Sequence, residues 1–178
     1  MVWAPRPRVL IGNTLQMNSS PSSVSGFTLS ELLVVITIVG VLAMIALPSF
    51  TSLTQSQRVK NASFELYASL SLARSEAIKR NAGAITPVTV TPVSGDWGKG
   101  WTISSGATIL KTQSVIKGVG VTGAPASISY AGTGRLANAS AATFLIDASG
   151  TTTPYASCIK IELSGMPRIY KPVNGTCP

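Results

Sequence analysis

The carboxylate of Glu31 lies near the start of a long apolar run, four residues after a Gly26-Phe27 junction. Between Glu31 and Arg58 the sequence contains no charged side chain. A charge within a membrane-spanning segment is costly, by roughly 2.5 kcal/mol or more at the helix centre, and such a residue is by default a hypothesis for a functional site. Glu31 is therefore the first candidate functional residue of this chain.

The apolar run itself covers residues 27–50. A helix needs about 20 apolar residues to cross the hydrocarbon core of a bilayer, and this run supplies that length. The core segment Gly26-Phe27-Thr28-Leu29-Ser30-Glu31 resembles the N-terminal signal of type IV prepilins and pseudopilins. The resemblance implies cleavage after Gly26 by a membrane prepilin peptidase and N-methylation of the new terminal Phe27.

Two other interpretations of the apolar run remain open. A secretory signal would be cleaved after the run, where Ala43, Ala46 and Ser49 supply small residues. An ordinary single-span anchor would keep the run intact, although it has no need of a glutamate beside a Gly-Phe bond. In the prepilin interpretation, residues 1–26 form a cleaved leader, and the basic residues in it favour a cytoplasmic leader with the head outside the inner membrane.

In the prepilin interpretation, Glu31 is the assembly residue. Cleavage would give Phe27 a free α-amine, whose positive charge is as unfavourable in lipid as the carboxylate of Glu31. Pairing the two groups lowers the cost of burying both. The amine could belong to the same chain, or to a neighbouring subunit, which the family resemblance implies. The sequence leaves both pairings open.

Two cysteines, Cys158 and Cys177, lie 19 positions apart near the C-terminus. In an oxidising compartment such an even pair predicts a disulfide, which would contribute about 3 kcal/mol in the chain-entropy model. The sequence has no histidine and no third cysteine to complete a zinc site, so no metal site is expected. The six acidic residues are scattered singly, and we therefore expect neither catalytic residues nor a cofactor.

A second motif, Asp96-Trp97-Gly98-Lys99-Gly100-Trp101, is similar to the Trp-x-x-Gly-Trp feature of the GspH/FimT/FimU group of minor pilins and pseudopilins. That resemblance implies a head of two β-sheets beside a long helix. It also implies a minor pilin that helps to initiate or cap a type IV pilus with other minor pilins and the major pilin. The alternative is a GspH-like pseudopilin of type II secretion. The two tryptophans are expected to pack in a core or sheet, although with Lys99 they could also stack on bases.

A third interpretation is a nucleic-acid-binding subunit. Some FimT-like minor pilins are implicated in DNA uptake through a Gly-Arg-x-Arg motif. The matching segment, Gly165-Met166-Pro167-Arg168, lacks the first arginine, and Pro167 breaks the spacing. Lys160, Arg168 and Lys171 still leave a basic patch that would attract phosphates in a chain of net charge +8. An ordinary solvated surface is the expected alternative.

One long helix must position the N-terminal residues. After residue 50 the apolar residues recur at steps of three and four, which predicts an amphipathic helix facing a core. We expect a helix from residue 27 to about residue 81, with Glu76 and Arg80 forming an i, i+4 pair. Residues 51–82 would be its amphipathic half. The predicted stripe consists of Val59, Ala62, Leu66, Leu70, Ala73 and Ala77.

From residue 83 to residue 178, short β patterns alternate with turns. Pro87 and Pro92 confine the first strand to an edge or to strand ends. The predicted fold class is α+β, a type IV pilin-like fold with one long N-terminal helix packed on a β-rich two-sheet head. The predicted strands are residues 86–93, 101–103, 108–112, 115–121, 127–130, 142–146, 158–163 and 168–171.

Overall fold

A computed structural model of the chain describes residues 26–81, 86–138, 140–148 and 155–178. The predicted leader lies outside the described residues except for Gly26. The chain divides into two compact units, Met1–Leu42 and Ala43–Pro178. The described part of the first unit is the start of the helix, and the second unit contains the rest of the helix and all the strands.

The helix α1 spans Leu29–Lys79, which confirms the predicted single long helix. It carries the acid Glu31 in its first turn and the base Lys79 in its last turn. Both charges interact favourably with the helix dipole, which is positive at the N-terminus and negative at the C-terminus. Asn81 follows with a φ of 47°, and its N–H donates to the carbonyl of Ile78 at 3.1 Å. Asparagine tolerates this left-handed conformation, which ends the helix.

Two four-stranded antiparallel sheets form the head, as predicted for this fold class. The first sheet has the order β3-β2-β1-β5 and the second has the order β4-β6-β7-β8. The strands are β1 (Val88–Val93), β2 (Asp96–Ser105), β3 (Thr108–Gln113), β4 (Val119–Thr122), β5 (Ile128–Tyr130), β6 (Ala142–Ala148), β7 (Ser157–Ile161) and β8 (Pro167–Tyr170). β1 pairs with β5 only over residues 88–90, so at Pro92 it has a partner strand, β2, on one side. Pro92 therefore lies at a local sheet edge, where the missing N–H of a proline is tolerated.

Two strand predictions need correction. The strand predicted at residues 101–103 is the longer β2, which also includes Gly98 and Gly100. Gly100 has a φ of 102°, and a Cβ at this position would collide with the carbonyl of Gln113 on the neighbouring strand. The strand predicted at residues 115–121 begins only at Val119, because Gly118 turns the chain with a φ of 74°.

The core forms between the helix stripe and the inner faces of the sheets. All six residues of the predicted stripe are buried. Trp97 of β2 contacts Phe144 of β6 edge to face at 4.9 Å, so one tryptophan joins the two sheets. Its indole N–H donates to the carbonyl of Pro125 at 2.8 Å. Trp97 and Trp101 are both buried and are therefore core residues, unavailable for stacking on bases.

The C-terminal segment is fastened to the second sheet by a disulfide. Cys158 in β7 is bonded to Cys177, with the two Cα atoms 5.6 Å apart, as the sequence predicts. The loop that the bond closes contains β8 and a bridge between Val173 and Thr176. The disulfide therefore holds the edge of the second sheet and the chain that follows it.

Candidate functional site

The N-terminal turn of α1 is closed by reciprocal hydrogen bonds between Thr28 and Glu31. The Thr28 N–H and the Thr28 hydroxyl each donate to Glu31 Oε2 at 2.9 Å. In return, the Glu31 N–H donates to the Thr28 hydroxyl oxygen at 3.2 Å. This is a capping box, in which the N-cap residue and the residue three positions later satisfy each other's free N–H groups. Glu31 therefore has an intrachain partner on the helix that carries it.

Sequence reasoning found Glu31 but missed the role of Thr28. The signal was available, because a threonine followed three residues later by a glutamate, ahead of an apolar run, is the sequence pattern of a capping box. The cap also explains why α1 begins at Leu29 rather than at Phe27. Thr28 is the N-cap, so Gly26 and Phe27 precede the helix.

The Gly26–Phe27 bond is accessible in the described residues. Gly26 is exposed, and a Cβ built on it would meet no atom within 4 Å. The side chain of Phe27 is 82% exposed. A peptidase needs such an exposed, non-helical peptide bond, since a helical backbone must unwind before it can enter an active site. The geometry at this junction thus fits the predicted cleavage position.

The apolar first part of α1 is exposed on every side. Consecutive residues such as Leu33, Val34 and Val35 are all exposed, so the described residues bury no face of this segment. The Thr37 hydroxyl donates to the carbonyl of Val34 at 2.7 Å, which satisfies this polar group inside the helix. Among the described residues, α1 is the one helix long and apolar enough to cross a membrane. Glu31 shares a shallow groove with Phe27, Ser30, Val34 and Val35.

The predicted basic residues are brought together at the edge of the second sheet. Lys160 of β7 lies directly opposite Arg168 of β8, and Lys171 follows one residue after the end of β8. Among the described residues, none of the three forms a salt bridge with a carboxylate. Gly165, in the turn before β8, has a φ of 79°, and a Cβ there would collide with the carbonyl of Gly134. The turn is thus packed against a neighbouring loop.

The described residues hold no cluster of three or more histidine, cysteine, aspartate or glutamate side chains that could bind a metal. Two titratable side chains of the sheets are perturbed by burial. Burial raises the pKa of the Asp147 carboxyl and of the Tyr130 hydroxyl. Asp147 lies on β6 opposite Gly120 of β4, and Tyr130 lies on β5, in the other sheet, so the two perturbed groups belong to different sheets.

Two family models match this chain, one over the N-terminal apolar segment and one over the last part of the helix and most of the head. The family model described as Type II transport protein GspH matches residues 62–165. The model of the prokaryotic N-terminal methylation motif matches residues 21–47, which include Gly26, Phe27 and Glu31. No curated protein matches the sequence.

Two solved structures are similar in fold, both of the type IV minor pilin FimU from Pseudomonas aeruginosa strain PAO1. One is 24% identical, with a TM-score of 0.53, and the match covers 62% of this chain and 91% of that chain. The other is 25% identical, with a TM-score of 0.56, and the match covers 71% of this chain and 96% of that chain. Together with a GspH match over more than half of its length, these findings show that the chain belongs to the GspH family of minor pilins and pseudopilins.

Proposed function

We propose that this protein is a minor pilin that helps to initiate or cap a type IV pilus after processing by a prepilin peptidase. The N-terminal methylation motif supports processing between Gly26 and Phe27, with methylation of Phe27 by the same membrane enzyme. The likeness to FimU, a type IV minor pilin, supports the pilus as the destination. Other minor pilins and the major pilin would be its partners.

The observation that carries this proposal is a carboxylate at the start of a helix whose apolar side chains are exposed all round. In water such a surface is unfavourable, so the helix requires lipid or other apolar helices around it. In the inner membrane the helix would be a single span with the head in the periplasm. In a filament, neighbouring helices would replace the lipid.

Processing changes the partners available to Glu31. In the unprocessed chain, Glu31 Oε2 accepts two hydrogen bonds from Thr28. Cleavage would place a positive α-amine on Phe27, the residue next to this cap. The carboxylate could then pair with its own amine or with the amine of a neighbouring subunit. Either pair would neutralise a charge that is costly to bury in an apolar bundle, and the second would also set the register between subunits.

The first experiment tests processing. The mature protein, purified from its host, should begin at a methylated Phe27 when its N-terminus is read by mass spectrometry. A start at Met1, or cleavage after the apolar run, would contradict the proposal. The second experiment replaces Glu31 with alanine in a host lacking the wild-type copy. Pili counted by electron microscopy should be strongly reduced, although the variant is still processed and its head still folds.

Glu162→Ala provides the matched control for the Glu31 variant. Glu162 is an exposed acid outside the apolar helix, and no salt bridge involves it among the described residues. This variant removes the same functional group and should leave pilus number unchanged. Equal losses from both variants would indicate a general effect of net charge rather than a role for Glu31 in assembly.

A pseudopilin of type II secretion is the second candidate, favoured by the description of the matching family model. Both machines use the same processed N-terminus, so Glu31→Ala does not separate them. Deletion of the gene does separate them. Loss of pili with normal secretion supports the pilus, whereas loss of secreted proteins with normal pili supports the pseudopilus.

Nucleic-acid binding is a third candidate, favoured by the grouping of Lys160, Arg168 and Lys171 without carboxylate partners. Such a patch would bind phosphates with an affinity that falls as salt rises. A gel-shift of the full chain in neutral detergent with duplex DNA tests this function. Absence of binding at low salt removes it.

A further inference from the structure

A groove runs between α1 and β8 in the second unit. Its helix side is formed by Ser56, Lys60, Phe64 and Tyr67, whose spacing of three and four places them on one face of the helix. Its strand side is formed by residues 166–172, and residues 155–157 and Gly175 complete the lining of the first cavity. Two cavities of about 560 Å³ and about 660 Å³ make up the groove, and they share Ile169 and Tyr170. We call this continuous feature the β8 groove.

The open edge of a sheet borders the β8 groove. β8 is the last strand of the order β4-β6-β7-β8, and within the described residues it pairs only with β7. Consecutive residues of β8 line the cavities, although successive side chains of a strand point to opposite faces. The second cavity, which is lined by α1 and residues 166–170 alone, therefore meets the strand at its edge, where backbone N–H and C=O groups have no partner strand among the described residues. Such an edge is a template for an added strand.

Large apolar side chains are left uncovered along the same groove. Phe64 is 62% exposed and Met166 is 48% exposed, and Tyr67 and Ile169 are also exposed. The buried stripe of α1 is a different set of residues, so these side chains are not needed for the core. An apolar surface beside an open strand edge offers both contacts that a bound extended peptide uses, backbone pairing and side-chain pockets.

The charge along the β8 groove is positive. Lys60 and Lys171 line the first cavity and Arg168 lines the second. No carboxylate lies within salt-bridge distance of these three cations in the described parts of the chain. A second copy of this chain would bring the same charges to the edge and would be repelled. An acidic occupant would be attracted.

We propose that the β8 groove binds an extended acidic peptide segment of a partner protein, which adds as a strand to the open edge of β8. Apolar side chains of the segment would cover Phe64 and Met166, and its carboxylates would face Lys60, Arg168 and Lys171. Nucleic acid fits this surface less well, because it has no backbone that can pair with a strand. This binding does not depend on Glu31 or on the machine that the protein joins.

Titration calorimetry on the full chain in neutral detergent tests the proposal with three synthetic peptides. The first alternates glutamate and valine over eight residues, the second alternates lysine and valine, and the third alternates glutamate and proline. The glutamate-valine peptide should bind. The lysine peptide should not bind, because its positive charges are repelled by the cations of the groove. The proline peptide should not bind either, because proline cannot extend a ladder of backbone hydrogen bonds.

Variants locate the binding site. The double substitution Lys60→Glu and Lys171→Glu should weaken binding of the glutamate-valine peptide by about tenfold or more, since two attractions become repulsions. Phe64→Ser should also weaken it. Lys117→Glu is the matched control, because Lys117 is exposed and lies outside the groove, and binding should stay within about twofold of wild type. Hydrogen exchange should slow at the β8 amides when the peptide binds.

Three results would overturn the proposal. The first is no binding of the glutamate-valine peptide, which would make the cations a device that protects the edge from pairing. The second is equal binding of the proline peptide, which would reduce the groove to a charged surface. The third is tighter binding of a single-stranded oligonucleotide that displaces the peptide, which would assign the groove to nucleic acid. Each result leaves the role proposed for Glu31 unaffected.

Discussion

The two parts of α1 use apolar residues in opposite ways. In the first part, neighbouring residues such as Leu32, Leu33 and Ile36 are each more than half exposed, whatever their direction. In the second part, the six-residue stripe from Val59 to Ala77 is at most 3% exposed, and the charged side chains lie on the other faces together with exposed apolar residues such as Phe64. One helix thus combines a segment that is apolar all round with an amphipathic segment.

The difference separates stability from assembly. The apolar stripe of the second part is already covered by the head, and its burial stabilises the fold of the single subunit. Apolar residues of the first part gain nothing from the fold of the single chain and acquire a function only in lipid or among other helices. Apolar residues therefore stabilise the fold of the subunit in the second part and promote its association with lipid or other helices in the first part.

The largest expected effect comes from removing one leucine in each part. Leu70 is fully buried, so Leu70→Ala should lower the free energy of unfolding of the head by about 2 to 5 kcal/mol. Leu33 is 51% exposed, so Leu33→Ala should leave head stability unchanged. Urea denaturation of the full chain in detergent, followed by the fluorescence of the buried Trp97 and Trp101, measures both. Equal losses would contradict the division of the helix.

Much of this division could be predicted from the sequence because its signals are local. The three- and four-residue spacing of the stripe identified the buried apolar positions on the second part of α1, although it did not include the buried Ser63 and Ser69. The pairing of Glu76 with Arg80 is confirmed at 2.9 Å. The Thr28–Glu31 cap was equally local and was overlooked. Short β patterns separated by turn residues located all eight strands approximately.

What could not be predicted depends on contacts between distant segments. Gly98 and Gly100 suggest a turn when read alone, and only the approach of Gln113 from β3 shows why a glycine occupies position 100 within a strand. The β8 groove likewise requires that β8 ends the second sheet and lies beside helix residues about a hundred positions earlier. The sequence pattern of α1 or of β8 alone does not predict that these two segments lie side by side.

A smaller effect is expected at the cap of the apolar part. Thr28→Ala removes the hydroxyl that bonds Glu31 and should destabilise the first turn by about 1 kcal/mol. Amide hydrogen exchange should then accelerate at residues 29–32, whereas urea denaturation of the head should not change. Thr28→Ser keeps a hydroxyl and serves as the control. Loss of head stability in Thr28→Ala would mean that the two parts of the helix are energetically coupled, which would contradict their separate roles in stability and in assembly.

The smallest effect is expected at the opposite end of the helix, at Glu76. Arg80 Nε donates to Glu76 Oε2 at 2.9 Å, and this bond, ahead of the weaker attraction of Lys79, lowers the pKa of Glu76 below its ordinary value of 4.5. A carboxylate with a lowered folded-state pKa contributes stability that is present above 4.5 and lost as pH falls through the folded-state pKa. Wild type and Glu76→Gln should therefore differ in urea midpoint at pH 7 and converge in acid.

A double-mutant cycle with Arg80→Ala identifies the source of that difference. If the bond to Arg80 is responsible, Glu76→Gln should cost less stability in the Arg80→Ala background than in wild type. Lys79 Nζ lies 3.6 Å from the other carboxylate oxygen of Glu76. We therefore expect Glu76→Gln to keep a small stability cost in the Arg80→Ala background. An unchanged cost would instead assign the stability to the general field of basic residues at the helix end rather than to the bond between Glu76 and Arg80.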